Sequence, residues 1–186
     1  VQQEYGSIIV GRAPFHYGLG MTYSAGANEF DHWSDIRDMF AYKFIIGNFS
    51  MMPILSRIKD KNPAQGQTMQ EEALQLVYDS IESGSKIGVL INNRKADAPT
   101  TDFPVSMVTG ATTGNALRMQ RMNFILGKSW TEFDFKMEIA SISGDTGLMK
   151  ANESIKFNSY GLAVEMNFPQ RDSKYDYSLK FGIASG

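Results

Sequence analysis

The chain has 186 residues, of which 42% are hydrophobic and 20% are charged; its formal net charge is −2 and it has no cysteine. That length is enough for one domain with a sizeable core, spanning residues 1–186, and the hydrophobic content excludes general disorder. Without a basic excess, nucleic acid is not expected as a partner. Without cysteine, disulfides, thiolate catalysis and cysteine-ligated metals are excluded. Runs of about eighteen apolar residues are absent, so a transmembrane helix is not expected.

Apolar and polar residues alternate in nine successive segments, as expected for strands with one apolar and one polar face. The predicted strands are 4–12, 37–47, 49–59, 72–81, 86–94, 117–126, 131–143, 159–168 and 174–184. The last three have the widest apolar faces, and strands of about ten residues with this repeat are what a membrane-spanning β-strand requires.

Residues 68–81 also fit a helix. They contain the good helix formers Glu71, Glu72 and Leu74, and their apolar residues recur at partly helical spacing. The neighbouring hairpins favour a strand there.

Long and short connections alternate along the chain. The predicted long connections are 13–35, 60–70, 95–115 and 144–158, and the short ones are near 47–48, 82–85, 127–130 and 169–173. Transmembrane barrels have short turns at one end and long loops at the other. The loop alternation and the strand pattern therefore favour the same architecture.

These features resemble Gram-negative outer-membrane β-barrels of the porin-like kind. The resemblance extends to residues 11–21, followed by Phe30-Asp31-His32-Trp33, which look like a strand leading into a surface loop, and to the aromatic residues near strand ends, Trp130, Tyr160, Phe168 and Tyr175. It implies an all-β, antiparallel transmembrane β-barrel in the bacterial outer membrane, with about nine strands visible. We expect these strands to be part of a larger barrel, because their number is odd and no terminal aromatic residue is present.

If the apolar faces contact lipid, the opposite faces contact a lumen. The predicted lumen-lining residues are Lys43, Glu132, Asp134, Lys136, Glu138, Glu165, Asp176 and Lys180. Their mixed signs argue against strong ion selectivity. Arg12, where a strand meets a long loop, is a candidate for a constriction, and an interfacial anchor is the alternative.

The first long loop contains both histidines, His16 and His32. His32 has Asp31, Asp35 and Asp38 nearby, a set that could form a metal site or an acid–base pair. The spacing matches no catalytic signature. We therefore expect no enzyme activity, no metal and no cofactor. The glycines of Gly18-Leu19-Gly20 are expected to let this loop fold inward.

The leading functional hypothesis is a channel for diffusion of small polar solutes. Its partners would be outer-membrane lipid, lipopolysaccharide and those solutes, with a homo-oligomer or other envelope proteins left open. A structural or adhesive barrel with a plugged lumen and partner-binding loops is the alternative, which ion pairs of Lys180 with Glu132 or Glu138 would favour. A soluble all-β binding protein and an outer-membrane hydrolase that uses His16 or His32 are the other classes weighed.

Overall fold

The structure is a computed structural model that describes residues 2–3, 6–26, 35–59, 68–96, 108–114, 116–169 and 177–185. Its elements are all strands: β1 (Gln2–Gln3), β2 (Gly6–Pro14), β3 (Ile36–Ile46), β4 (Phe49–Lys59), β5 (Thr68–Ser80), β6 (Ser85–Ala96), β7 (Thr112–Thr113), β8 (Leu117–Ser129), β9 (Asp134–Lys150), β10 (Glu153–Phe168) and β11 (Tyr177–Ala184).

All strands belong to one antiparallel sheet. Ten of them follow each other in chain order from β1 to β11, and β7 lies off this path beside the far end of β9. The predicted all-β antiparallel class is confirmed, and the alternative helix at 68–81 is wrong, because β5 pairs with both β4 and β6. Among the described residues no pairing joins the first strands to β11, so the sheet is open.

The connections sort into two ends of the sheet. At one end, here called the turn end, the connections are 4–5, 47–48, 81–84, 130–133 and 169–176. At the other, the loop end, they are 15–35, 60–67, 97–116 and 151–152. The predicted alternation of long and short connections therefore holds through β9, and the last connection at the loop end breaks it.

The predicted long connection at 144–158 is wrong. β9 and β10 continue through this region as a long hairpin that turns at Ala151 and Asn152, whose φ angles are 50° and 67°. Two left-handed residues are what a tight two-residue hairpin turn requires. Gly144 belongs to β9, where it pairs with Met119 of β8 and Phe157 of β10. A Cβ there would overlap the Arg118 carbonyl oxygen of β8, so the position needs glycine.

The two faces of the sheet differ in chemistry. On the outer face, large apolar side chains stand exposed from β2 to β11; examples are Val10, 71% exposed, Leu55, 58%, and Leu179, 61%. On the inner face, the described part of the first long loop covers the sheet and forms a core with it. Apolar side chains are therefore buried on the inner face and also stand exposed on the outer face.

The sheet is strongly curled. Lys43 of β3 and Lys180 of β11 line the same cavity on the inner face. Seven strand-to-strand steps separate β3 from β11, which would place them roughly 34 Å apart in a flat sheet with the usual spacing. The inner face is therefore concave.

Candidate functional site

Residues 15–26, here called the inward segment, leave β2 at Pro14 and fold onto the concave face. Backbone hydrogen bonds from Tyr17 N to Tyr23 O, 3.1 Å, and from Gly20 N to Tyr17 O, 3.1 Å, close the segment on itself. Gly18 and Gly20 adopt φ angles of 62° and 86°, which residues with a Cβ rarely adopt. The prediction that these glycines let the loop fold inward is confirmed.

Three aromatic rings of the inward segment are buried: Phe15, Tyr17 and Tyr23. Phe15 and Tyr23 meet edge to face, with ring centroids 5.1 Å apart. Burial raises the pKa of the Tyr17 phenol, and the negative charge of Glu138 raises it further, so this ring stays neutral. The rings pack on the inner-face side chains of Met39, Ala41, Met52, Ile54, Val77, Leu90 and Ile125.

Glu138 of β9 holds the tip of the inward segment. Its carboxylate is fully buried, and Oε2 accepts hydrogen bonds from the backbone N–H groups of Leu19, 2.7 Å, and Met21, 3.4 Å. Asn123 Nδ2 of β8 donates to Glu138 Oε1, 2.5 Å, and to the Thr22 hydroxyl oxygen, 2.7 Å. Because backbone donors to a buried carboxylate are strong hydrogen bonds, Glu138 and Asn123 fix the position of this segment.

A buried charge cluster lies under the other side of the segment. Glu71 accepts from Arg37 through Oε1 and from Arg94 through Oε2, with Arg94 Nη2 at 2.8 Å. Arg37 also pairs with Asp35 at 3.1 Å. The Arg37 guanidinium lies 4.8 Å from the centre of the Tyr23 ring, a cation–π distance. Charge pairing and ring contact thus join β3, β5 and β6 to the inward segment.

A cavity of about 1070 Å³ remains between the inward segment and the turn end. Lys86 pairs with Asp79 at 3.0 Å and Lys180 with Glu165 at 3.7 Å. Within the described part of the chain, the other three lysines of the lining have no ion-pair partner. The lysines are Lys43, Lys86, Lys128, Lys136 and Lys180, and the acidic residues are Asp79 and Glu165. The lining therefore carries an excess of positive charge.

The structure brings most of the predicted lumen residues to the concave face. By strand register these are Lys43, Asp134, Lys136, Glu138, Glu165 and Lys180. Glu132 is different: β9 begins at Asp134, so Glu132 lies exposed in the 130–133 connection rather than on a strand face. Asp176 lies outside the described residues. Lys180 pairs with Glu165 and not with Glu132 or Glu138.

Arg12 lies on the outer face, in the same alternation as Val10, and pairs with Asp38 at 2.9 Å. That position does not fit the predicted constriction, because the side chain points away from the cavity. His16 contacts Gly18 O through Nε2 at 3.1 Å and serves to shape the inward segment. His32 and Asp31 lie outside the described residues. The residues that are described contain no group of three His, Cys, Asp or Glu side chains placed to hold a metal ion.

Aromatic side chains gather at the turn end of the sheet. Trp130 and Phe133 stack with centroids 4.5 Å apart, and Phe133 lies 5.8 Å from Phe168. Phe49 and Tyr78 meet at 5.0 Å on the neighbouring strands β4 and β5. Such a row at one border of an apolar surface is typical of the level where a membrane meets water.

The chain matches no family model, no curated protein and no solved structure. In the described parts of the chain, no helix is both long and apolar enough to cross a membrane.

Sequence reasoning missed the residues that fix the inward segment, namely Arg37, Glu71, Arg94 and Asn123. One signal was present in the strand alternation: Arg37, Glu71 and Arg94 each stand on the same face as buried apolar neighbours of their own strand. A charged residue at such a position needs a buried partner. The partners themselves come from other strands, so only the register could identify them.

Proposed function

We propose that this chain forms the wall of an outer-membrane channel for small polar solutes in a Gram-negative bacterium. The observation that carries the proposal is the exposed apolar surface of the convex face, which lies opposite a concave face with ionisable side chains and a cavity. An extended apolar surface of this kind needs an apolar medium to cover it. A lipid bilayer supplies that medium, and the aromatic residues at the turn end support the same orientation.

In this proposal the inward segment is the constriction, and the cavity is the wider part of the path beside it. Solutes would pass between the inward segment and the lysines of the cavity lining. Two lysines of the lining, Lys43 and Lys136, stand on the inner face by strand register and have no ion-pair partner among the described residues, which favours anions over cations. This preference is weak because Asp79 and Glu165 share the lining.

The test is conductance in a planar bilayer. Full-length purified chain should produce discrete current steps, and chain kept unfolded in urea should produce none at the same concentration. Flotation with vesicles measures insertion separately. Chain that floats with vesicles but leaves the bilayer silent would contradict the channel.

A barrel with a plugged lumen and partner-binding loops is the second candidate. The burial of Phe15, Tyr17 and Tyr23 against the concave face favours it, because the inward segment fills part of the interior. This candidate predicts insertion without conductance, and conductance only after the inward segment is released. The same bilayer measurement therefore separates the two candidates.

A further inference from the structure

One register row crosses the outer face at the loop end. Its eight members are neighbours across successive strands from β2 to β10, as the pairings Arg12↔Asp38↔Arg57↔Gln70↔Lys95↔Arg118↔Asp145↔Lys156 show. We call this row the outer belt. Five of its members are cations and two are anions, so it carries a net charge of +3 (five minus two), whereas the whole chain carries −2.

Most cations of the outer belt have no partner among the residues that the structure describes. Arg12 is paired with Asp38. Arg57, Lys95, Arg118 and Lys156 are exposed, and none of them has an ion pair or side-chain hydrogen bond with the described residues. One of the two acids is also occupied, because Asp145 Oδ1 accepts from the Gly147 N–H at 2.9 Å. The described residues therefore leave the charge excess of the belt without a neutralising partner.

The outer belt borders the apolar surface. On β2, β3 and β4 the next outward positions toward the turn end are Val10, Phe40 and Leu55, all more than half exposed. On β5, β6 and β8 a polar row lies between the belt and the apolar surface; it consists of Glu72, Asn93 and Gln120. The apolar residues of the next row toward the turn end are Leu74, Ile91 and Met122. At the turn end the described outer-face positions include the aromatic residues Phe49, Tyr78, Phe135 and Phe168 and one cation, Lys128, whose Nζ lies 5.9 Å from the centre of the Trp130 ring. The two borders of the apolar surface therefore differ in charge.

We propose that the outer belt binds the phosphate groups of anionic lipid headgroups in the leaflet at the loop end. Cations just outside an apolar surface meet a bilayer at headgroup depth, where anionic lipids attract Lys and Arg. Arg57 and Arg118 present planar guanidinium groups that suit a phosphate with two hydrogen bonds each. Charge complementarity and continuity with the apolar surface identify lipid, rather than a free anion, as the occupant.

This inference depends on the membrane insertion that the proposed function includes, but not on conduction. The belt and the channel are tested separately by measuring lipid association and conductance on the same proteins. The association measurement uses full-length chain in phosphatidylcholine vesicles that contain spin-labelled phosphatidylglycerol or spin-labelled phosphatidylcholine. The ratio of the two association constants is the preference for the anionic lipid.

The test variant combines Arg57→Gln, Lys95→Gln and Arg118→Gln, and the matched control combines Lys43→Gln, Lys136→Gln and Lys180→Gln on the inner face. Each removes three positive charges. One cation near an anionic surface changes affinity about fivefold, so we expect the outer variant to lower the preference by about tenfold or more. The control should keep the preference of the unmodified chain.

Several outcomes would overturn the proposal. An equal loss of the preference for the anionic lipid in the outer variant and in the control would show that total charge, not the belt, attracts the lipid. An unchanged preference in both variants would show that the belt does not bind it. Loss of the preference in inorganic phosphate, but not in chloride at the same ionic strength, would identify a free-anion site. Chain that floats and conducts without any preference would refute the belt alone. Chain that fails to float with vesicles would refute membrane insertion and the belt together.

Discussion

Glu138 and Leu19 lie 119 residues apart in the chain, and the Leu19 N–H donates a 2.7 Å hydrogen bond to the buried Glu138 carboxylate. The same oxygen accepts from Met21, and Asn123 donates to the other carboxylate oxygen. One acidic side chain on β9 therefore positions the segment that narrows the concave face. In the proposed channel, Glu138 sets the width of the path.

Glu138→Ala should release the inward segment and raise single-channel conductance. Hydrogen bonds to a charged group contribute about 1.5–3 kcal/mol each, so losing those from Leu19 and Asn123 weakens docking by about 3 kcal/mol or more. Chymotrypsin should then cleave at Tyr17 and Tyr23, which are buried in the unmodified chain. Glu132→Ala, in an exposed connection, is the control and should change neither conductance nor cleavage. Unchanged cleavage in Glu138→Ala would mean that aromatic packing alone holds the segment.

Lys136→Glu should weaken the anion preference of the lining. Lys136 lines the cavity without an ion-pair partner in the described structure, so the substitution lowers the net charge of the lining by two units, from +3 (five lysines and two acidic residues) to +1. The measurement is the size of the reversal potential in a salt gradient, at low ionic strength because salt screens such charges. Lys150→Glu, at the far end of the same strand, is the matched control. A shift of equal size in both variants would contradict the assignment of the cavity as the solute path.

Glu71→Gln should destabilise the fold by about 3–5 kcal/mol, since breaking a buried ion pair leaves charges without compensation. Here two guanidinium groups, of Arg37 and Arg94, would lose their shared carboxylate. Glu72→Gln is the natural control, because the neighbouring residue is exposed on the outer face and should change stability by no more than about 0.5 kcal/mol. Urea unfolding of both variants in vesicles measures the difference. Equal stability would show that the cluster contributes nothing to the fold.

Phe124→Arg should cost about 2–4 kcal/mol in a bilayer, the penalty of an arginine at the midplane of a lipid-facing strand. Phe124 lies between Val89 and Ile139 in the middle of the outer apolar surface. Gln120→Arg, on the same face of β8 but toward the loop end, should cost about 0–1 kcal/mol. The readout is the free energy of unfolding in vesicles, compared with that in detergent. A penalty that does not depend on position would argue that protein, not lipid, covers this face.

The alternation of side chains was enough to predict most strands and both faces. It located β3, β4 and β6 closely, because apolar residues at every second position have few alternatives once turns bound them. At 144–158 the sequence wrongly predicted a loop, because glycines such as Gly144 and Gly147 are typical of loops. Gly144 is required there by close contact with the Arg118 carbonyl of the next strand, and nothing local in the sequence records that contact.

The sequence by itself determined the all-β class, the two-faced strands and the inward bend at Gly18 and Gly20, since these follow from local backbone preferences and a two-residue period. Only the tertiary structure decided which of the polar residues act together. Glu138 binds the inward segment instead of pairing with Lys180, and Arg12 joins a charged row on the outer face instead of a constriction. Both outcomes depend on strand register and on the curl of the sheet. Those properties arise from contacts between residues far apart in the chain, so no local pattern could specify them.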